Sequence, residues 1–207
     1  QRQMCIRDRL LSANILFSTT VSNLGVHLDS QLTMQDHVAA ICRSCFFQLR
    51  QLRTIRSSLT TDAAKTLAQA FVGGRLDYCN SLLYGVSGEL LRRLQSVQNA
   101  AARFITGTRK YDHITPVLRS LHWLPVRQRI IFKIATLMYR CLNGLAPSYL
   151  AADCTVVSAI PGRRQLRSAT SGQLYIPRTR TVTFGPRSFK VCGPTIWNDL
   201  PARMKDP

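Results

Sequence analysis

From residue 33 onward, apolar side chains recur with helical spacing for well over a hundred positions. Val38, Ile41, Cys42, Cys45, Phe46, Leu49, Leu52 and Ile55 step by i, i+3, i+4, i+7, which predicts one long amphipathic helix. Thr33 opens it, and Asp36 three residues on reads as a shortened capping box. A second helix starts near Thr61 and Asp62 with Ala64, Leu67, Ala68 and Phe71 inward, and Gly73-Gly74 weakens or kinks it. A third runs from the Ser87 cap through Leu90, Leu91, Leu94, Val97, Ala101, Phe104 and Ile105 to Gly107. Thr115-Pro116 predicts an N-cap with proline at the first helical position, giving a short helix to Leu121. "HWLP" reads as a turn, Val126 to Leu142 as a long helix ending at Gly144, and Pro147 to Ala152 as a short one.

Both flanks read differently. Ile15 to Leu28 is rich in β-branched and apolar residues, which predicts a strand, with Asn23 and Gly25 allowing a tight turn or bulge. Beyond Cys154, proline and glycine recur, and "LYIPRTRTVTF" alternates like an exposed strand. "GPTIWNDLP" offers an aromatic anchor that docks on the bundle. The fold class expected is mainly α: a helical bundle preceded by a short β-strand or hairpin and followed by a basic, partly β or irregular C-terminal segment. The expected divisions are 1–9 (a leader matching no later pattern, "QRQMCIRDR"), 10–32, 33–152 and 153–207.

Charge changes the picture. The 207 residues hold 28 Lys+Arg against 10 Asp+Glu, a net +18, and arginine greatly outnumbers lysine. That balance points to a polyanion, nucleic acid first and an anionic membrane surface second, and the planar, bidentate arginine fork suits phosphate. Residues 155–198 carry seven basic side chains and no acidic one. Hydrophobic content of 45% excludes a disordered basic tail. Seven cysteines at irregular spacing sit mostly within apolar helical patterns, which fits an intracellular, reducing compartment. No apolar run approaches the ~18 residues of a membrane span, so no membrane partner is expected. "LLSANILFS" is interrupted by Ser12 and Asn14 and does not read as a signal peptide.

Candidate chemistry is sparse. There is no glycine-rich phosphate loop, paired-carboxylate motif or nucleophile elbow. His37, Cys42 and Cys45 on one helix lack a second ligand pair, so packing is the better account of them. Asp77 reads as a local hydrogen-bond acceptor or a partner of Arg75, and Tyr78 as a core ring. Tyr111, Trp123 and Tyr175 are candidate base-stacking rings, with Trp123 more readily a core plug. The basic residues expected to meet nucleic acid, mostly through phosphates, are Arg43, Arg50, Arg53, Arg56, Arg109, Lys110, Arg163, Arg164, Arg167, Arg178 and Arg180.

Five ordered segments resemble the C-terminal part of reverse transcriptases of non-LTR (LINE-type, Jockey/CR1/L2-like) retrotransposons. They are "VSNLGVHLDSQLTMQDHV", "RLDYCNSLLYG", "LQSVQNAAARFITGTRKYDHITPVLRSLHWLPVRQRI", "FKIATLMYRCLNGLAPSYL" and "GPTIWNDLP", covering roughly Ile15 to Pro207. The resemblance implies that "NLGVHLD" is the strand after the polymerase palm that supports the primer end, with Leu24, Gly25 and Val26 as its core. It implies that residues 33–152 form the thumb, which grips an RNA and DNA template–primer duplex, and that the basic tail contacts nucleic acid or ribonucleoprotein. Nucleus and cytoplasm are the expected locations. Family polymerases hold two magnesium ions on Tyr-x-Asp-Asp, a motif this sequence lacks. No catalytic residue, metal ligand or cofactor is therefore expected in this chain; magnesium belongs to the palm, which with the endonuclease domain is an expected partner. Gly73-Gly74 departs from the uninterrupted helix expected of the family. A competing expectation is a host-adopted helical module that binds protein and has no polymerase role.

Overall fold

The computed structural model describes residues 9–10, 13–14, 18–160 and 172–205, and most of these are helical. At the N-terminal side, β1 (Arg9–Leu10) pairs antiparallel with β2 (Ala13–Asn14), and β3 (Thr20–Asn23) with β4 (Val26–Asp29). Residues 1–8 of the expected leader, and residues 15–17 of the expected strand, lie outside the described residues.

The strand predicted through Leu28 is in fact this second hairpin. Asn23 faces Val26, leaving Leu24 (φ 47°) and Gly25 (φ 79°) as a two-residue turn. Left-handed backbone at both central positions matches the right-handed twist of the flanking strands. Glycine adopts it freely, whereas leucine pays a steric cost. The expected strand core is thereby corrected: Leu24 is 85% exposed at the tip, Gly25 is exposed, and Val26 alone is buried.

Helix α1 (Gln35–Thr54) starts without the expected capping box. Met34 occupies the N-cap position with φ 66°. The Asp29 carboxylate accepts the N–H groups of Gln31, Thr33 and Met34 and the Thr33 hydroxyl, at 2.9–3.0 Å. These donors, the Thr33 N–H foremost, hold its carboxyl below the usual range. Asp36 instead accepts the Thr20 hydroxyl at 2.7 Å, tying hairpin to helix. Val38, Cys42, Cys45, Leu49 and Leu52 are buried, whereas Phe46, Phe47 and Ile55 are exposed. Phe46 and Ile55, expected inside, fall at the edge of the stripe that α1 buries.

α2 (Thr61–Ala68), a π-helical turn (Gln69–Gly73) and α3 (Gly74–Asp77) follow end to end. The Thr60 hydroxyl caps the first by accepting the Ala63 N–H at 3.2 Å. The interruption read at Gly73-Gly74 is thus the end of one widened turn, which leaves Phe71 exposed rather than inward. Cys79, with φ 50°, ends the rod.

α4 (Gly88–Thr106) carries the caps predicted for it, the Ser87 hydroxyl accepting the Leu90 N–H and Gly107 at φ 72°. It runs parallel to α1: Cys42 lies beside Arg93 at one end, and Arg56 reaches Phe104 and Ile105 at the other. α5 (Ile114–Ser120) starts earlier than Thr115-Pro116 predicts, with His113 as its N-cap. Pro116 then sits third, where a missing N–H forfeits no helical bond. α6 (Val126–Leu142) has the boundaries expected, and α7 (Ser148–Ala151) follows. Two glutamines fasten α6 to α4: Gln98 Nε2 donates to the Leu124 carbonyl at 2.8 Å, and Gln95 Oε1 accepts the Val126 N–H at 2.9 Å.

The C-terminal segment is less β than expected. Along "LYIPRTRTVTF", Leu174 alone forms a bridge, to Val156. Pro177 has no N–H for a ladder, and among the described residues no neighbouring strand runs beside 175–184. The last long element is α8 (Phe189–Asp199), packed on α6 with Trp197 buried, so the aromatic anchor docks as expected. A Cβ at Gly193 would strike the Met138 sulfur, which makes this glycine the point of closest approach. Asn198 substitutes for a strand partner, exchanging hydrogen bonds at 2.9 Å with both backbone groups of Leu174. Arg187 pins the segment by donating to the carbonyls of Tyr84 (3.2 Å) and Leu32 (2.7 Å).

Candidate nucleic-acid interface

The parallel pair α1 and α4 buries its apolar stripes between the helices and turns its basic residues outward. Arg43, Arg50 and Arg53 are exposed on α1, and Arg92 and Arg93 on α4. Arg43 and Arg93 share a groove of about 380 Å³ with Phe46 and Ser96. Phe46 and Phe47, 40% and 55% exposed, interleave with the α1 arginines. Ion pairs among the described residues join Arg129 to Asp77 at 2.7 Å and Lys190 to Asp153 at 3.3 Å, and neither uses an arginine of this face. Unneutralised guanidinium groups beside exposed rings present charge for phosphate and flat surface for bases.

Arg92, Arg93 and Phe47 were not singled out from the sequence. The helical period already placed the two arginines on the polar side of α4. What it did not contain was the parallel alignment that sets Arg93 opposite Arg43.

Other expected contacts divide. Arg56 is corrected from a nucleic-acid ligand to a structural residue. Its guanidinium donates to the carbonyls of Phe104 (2.8 Å), Ile105 (2.7 Å) and Leu59 (3.1 Å). It thereby satisfies carbonyls that the end of α4 leaves without helical partners. Arg109 and Lys110 are exposed in the loop after α4. Asp112 shapes that loop by accepting the Arg109 N–H at 3.0 Å, and Lys110 lies over the Tyr111 ring at 5.9 Å. Arg178 and Arg180 are exposed; Arg163, Arg164 and Arg167 lie outside the described residues. Of the candidate rings, Tyr111 and Tyr175 are exposed, while Trp123 packs on the core with the Arg129 guanidinium 6.0 Å from its centroid.

The readings of Asp77 and Tyr78 are also corrected. Asp77 pairs with Arg129 from α6 rather than with Arg75. Tyr78 is 51% exposed, and its hydroxyl donates to the Leu24 carbonyl at 2.6 Å, holding the hairpin turn against α3. Both side chains serve contacts more than fifty residues away, which local sequence does not display. His37, Cys42 and Cys45 lie on the buried stripe of α1. Burial pushes the Cys45 thiol up to about 11, and likewise Cys192 to about 11 and Cys154 to about 12. These thiols stay protonated at neutral pH and are not poised as nucleophiles. Among the described residues, no helix is long and apolar enough to cross a membrane.

No family model matches the chain, and no solved structure matches it. Over 110 residues it is 30% identical to a protein of Drosophila melanogaster described as a probable RNA-directed DNA polymerase from transposon BS. The match takes in 52% of this chain and 12% of that protein. The chain therefore spans only a small part of the relative it resembles, and the similarity supports a reverse-transcriptase relationship.

Proposed function

We propose that this chain is the template–primer-binding, thumb-like part of a non-LTR retrotransposon reverse transcriptase, and that it carries no catalytic residue of its own. The observation that bears the most weight is the groove that Arg43 of α1 and Arg93 of α4 share, with Arg50, Arg53 and Arg92 exposed on the same two helices. In this reading the helices track an RNA–DNA duplex through its phosphates, so binding is strong at low salt and indifferent to sequence. The hairpin bearing Leu24, Gly25 and Val26 sits beside the primer end, and magnesium is held by the palm of the parent polymerase. The palm and endonuclease domains are the protein partners, and the complex works as a ribonucleoprotein in nucleus and cytoplasm.

The test is binding of residues 15–207 to an RNA–DNA hybrid, a DNA duplex and single strands across a salt series. A steep linear fall of log affinity with log salt, with little sequence preference, is the expected result. Absence of binding at low salt would sink the reading.

A second reading rests on a different observation. Phe132, Leu145 and Tyr149, 63%, 68% and 72% exposed on α6 and near α7, are the kind of surface a helical protein-interaction module presents. Salt-insensitive association with another protein would favour it.

A further inference from the structure

On the flank of α1 facing the hairpin there is a pocket of about 470 Å³, lined by Gly25, His27, His37, Ser44, Arg75 and Tyr78 among others. His37 forms its buried wall, at 3% exposure. The His37 Nδ1 accepts the backbone N–H of His27 at 3.4 Å, so the neutral ring carries its proton on Nε2. That Nε2 is buried and has no hydrogen-bond partner. Buried donors are satisfied in nearly all folded proteins, and one without an acceptor asks what it is kept for.

The neighbouring groups give a consistent answer. Arg75 is exposed at the pocket, and the acid nearest to it in sequence, Asp77, is occupied by Arg129 at 2.7 Å. Ser44 brings a hydroxyl, and His27 sets a second imidazole 6.1 Å from the first. No carboxylate is among the lining residues. The Tyr78 hydroxyl is already committed to the Leu24 carbonyl, which braces the rim rather than filling the pocket. Burial holds His37 below the usual imidazole range and so keeps it neutral, a donor at Nε2 through its tautomer and not through its charge. A positive charge, a hydroxyl and an unpartnered imidazole N–H lining one pocket, with no acid to compete, make a setting for a tetrahedral oxyanion.

We propose that this pocket binds a phosphate group, with Arg75 supplying the charge and His37 Nε2–H and the Ser44 hydroxyl donating to its oxygens. The residues are distinct from the arginines of the α1–α4 face, so the site does not depend on duplex binding there. Phosphate can arrive as a phosphodiester of a nucleic-acid strand or as the free ion, and both present the same oxygens.

The experiment follows the histidine side-chain ¹H–¹⁵N resonances of the full chain at neutral pH and constant ionic strength. Inorganic phosphate and a short single-stranded oligonucleotide are titrated separately. The expected result is a saturable shift of the His37 Nε2–H signal, with Arg75→Gln weakening the apparent affinity about tenfold or more, as loss of a charge-assisted hydrogen bond does. Lys65→Gln, an exposed charge outside the pocket, leaves it unchanged. A shift with the oligonucleotide, with or without the free ion, identifies a backbone phosphodiester; a shift with inorganic phosphate alone identifies the free ion. No saturable shift with either ligand, or one that survives Arg75→Gln, overturns the proposal. Loss of duplex binding by the α1–α4 face leaves the inorganic-phosphate arm intact, so the two readings fail separately.

Discussion

Arg56, just past the end of α1, clasps the far end of α4: its Nε donates to the Phe104 carbonyl at 2.8 Å, and its guanidinium stands 5.9 Å from the Phe104 ring centroid. An arginine that sequence position assigns to a nucleic-acid ligand therefore holds two helices together. Arg56→Ala removes a charged donor from three carbonyls. The expected cost is about 2 kcal/mol, since hydrogen bonds to charged groups contribute roughly 1.5–3 kcal/mol and this one is partly solvated. Denaturant unfolding measures it as a lower midpoint at constant slope. Duplex affinity, measured below the transition, stays within about twofold, a small change on the tenfold-per-1.4 kcal/mol scale.

The exposed arginines of α1 and α4 should behave in the opposite way. Arg50→Gln and Arg93→Gln, singly and together, are expected to leave the unfolding midpoint nearly unchanged, because exposed charges without partners contribute little. Each substitution lowers the salt slope of duplex binding by about 1 if its side chain meets a phosphate. An unchanged slope in the double variant would remove this face from the interface.

His37 makes stability depend on pH. Desolvation, with a smaller contribution from the charge of His27, lowers its folded value below the ordinary 6.5. The unfolded chain then binds the proton more readily than the folded one, so the stabilisation is complete above pH 6.5 and is lost as pH falls from there toward the lowered value. Thermal midpoints recorded between pH 7.5 and 5 should decline for the unaltered chain. His37→Gln should flatten the curve, and an equally steep decline in that variant would assign the effect elsewhere.

Gly193 sets how closely α8 approaches α6. Adding a methyl group there drives a Cβ into the Met138 sulfur, and Met138 is itself fully buried. Overpacking of this kind costs about 1–3 kcal/mol. Gly193→Ala should lower the unfolding midpoint by that amount and shift the emission of Trp197 to the red as the helix lifts away. Gly88→Ala, open on every side, is the control that should do neither.

The sequence displays those elements whose signals are local. α6 begins just after Pro125 and ends just before Asn143-Gly144, so its limits could be read to the residue. The same holds for α4 between Ser87 and Gly107. α8 was hidden because Gly193 and Pro194 sit in its interior, and both argue against a helix until packing on α6 overrides them. The candidate interface was half visible for a related reason. Arg50 and Arg56 are the same residue type six positions apart, and what sets Arg56 apart is its place past the end of α1 and a pair of carbonyls 48 and 49 positions further along. Local patterning shows which face is polar; it does not show which polar groups are already engaged.

Arg187 closes a circuit of long reach, donating to the carbonyl of Leu32, 155 positions earlier in the chain. During synthesis at about 5–20 residues per second, the two ends of that bond emerge roughly 8–30 seconds apart. Over roughly the last 3–11 seconds of it, while the chain between Met138 and Gly193 is made, the face of α6 that α8 later covers stays uncovered. Until α8 is made, the helical bundle therefore carries an open hydrophobic side, and the docking of that one helix withdraws it from water.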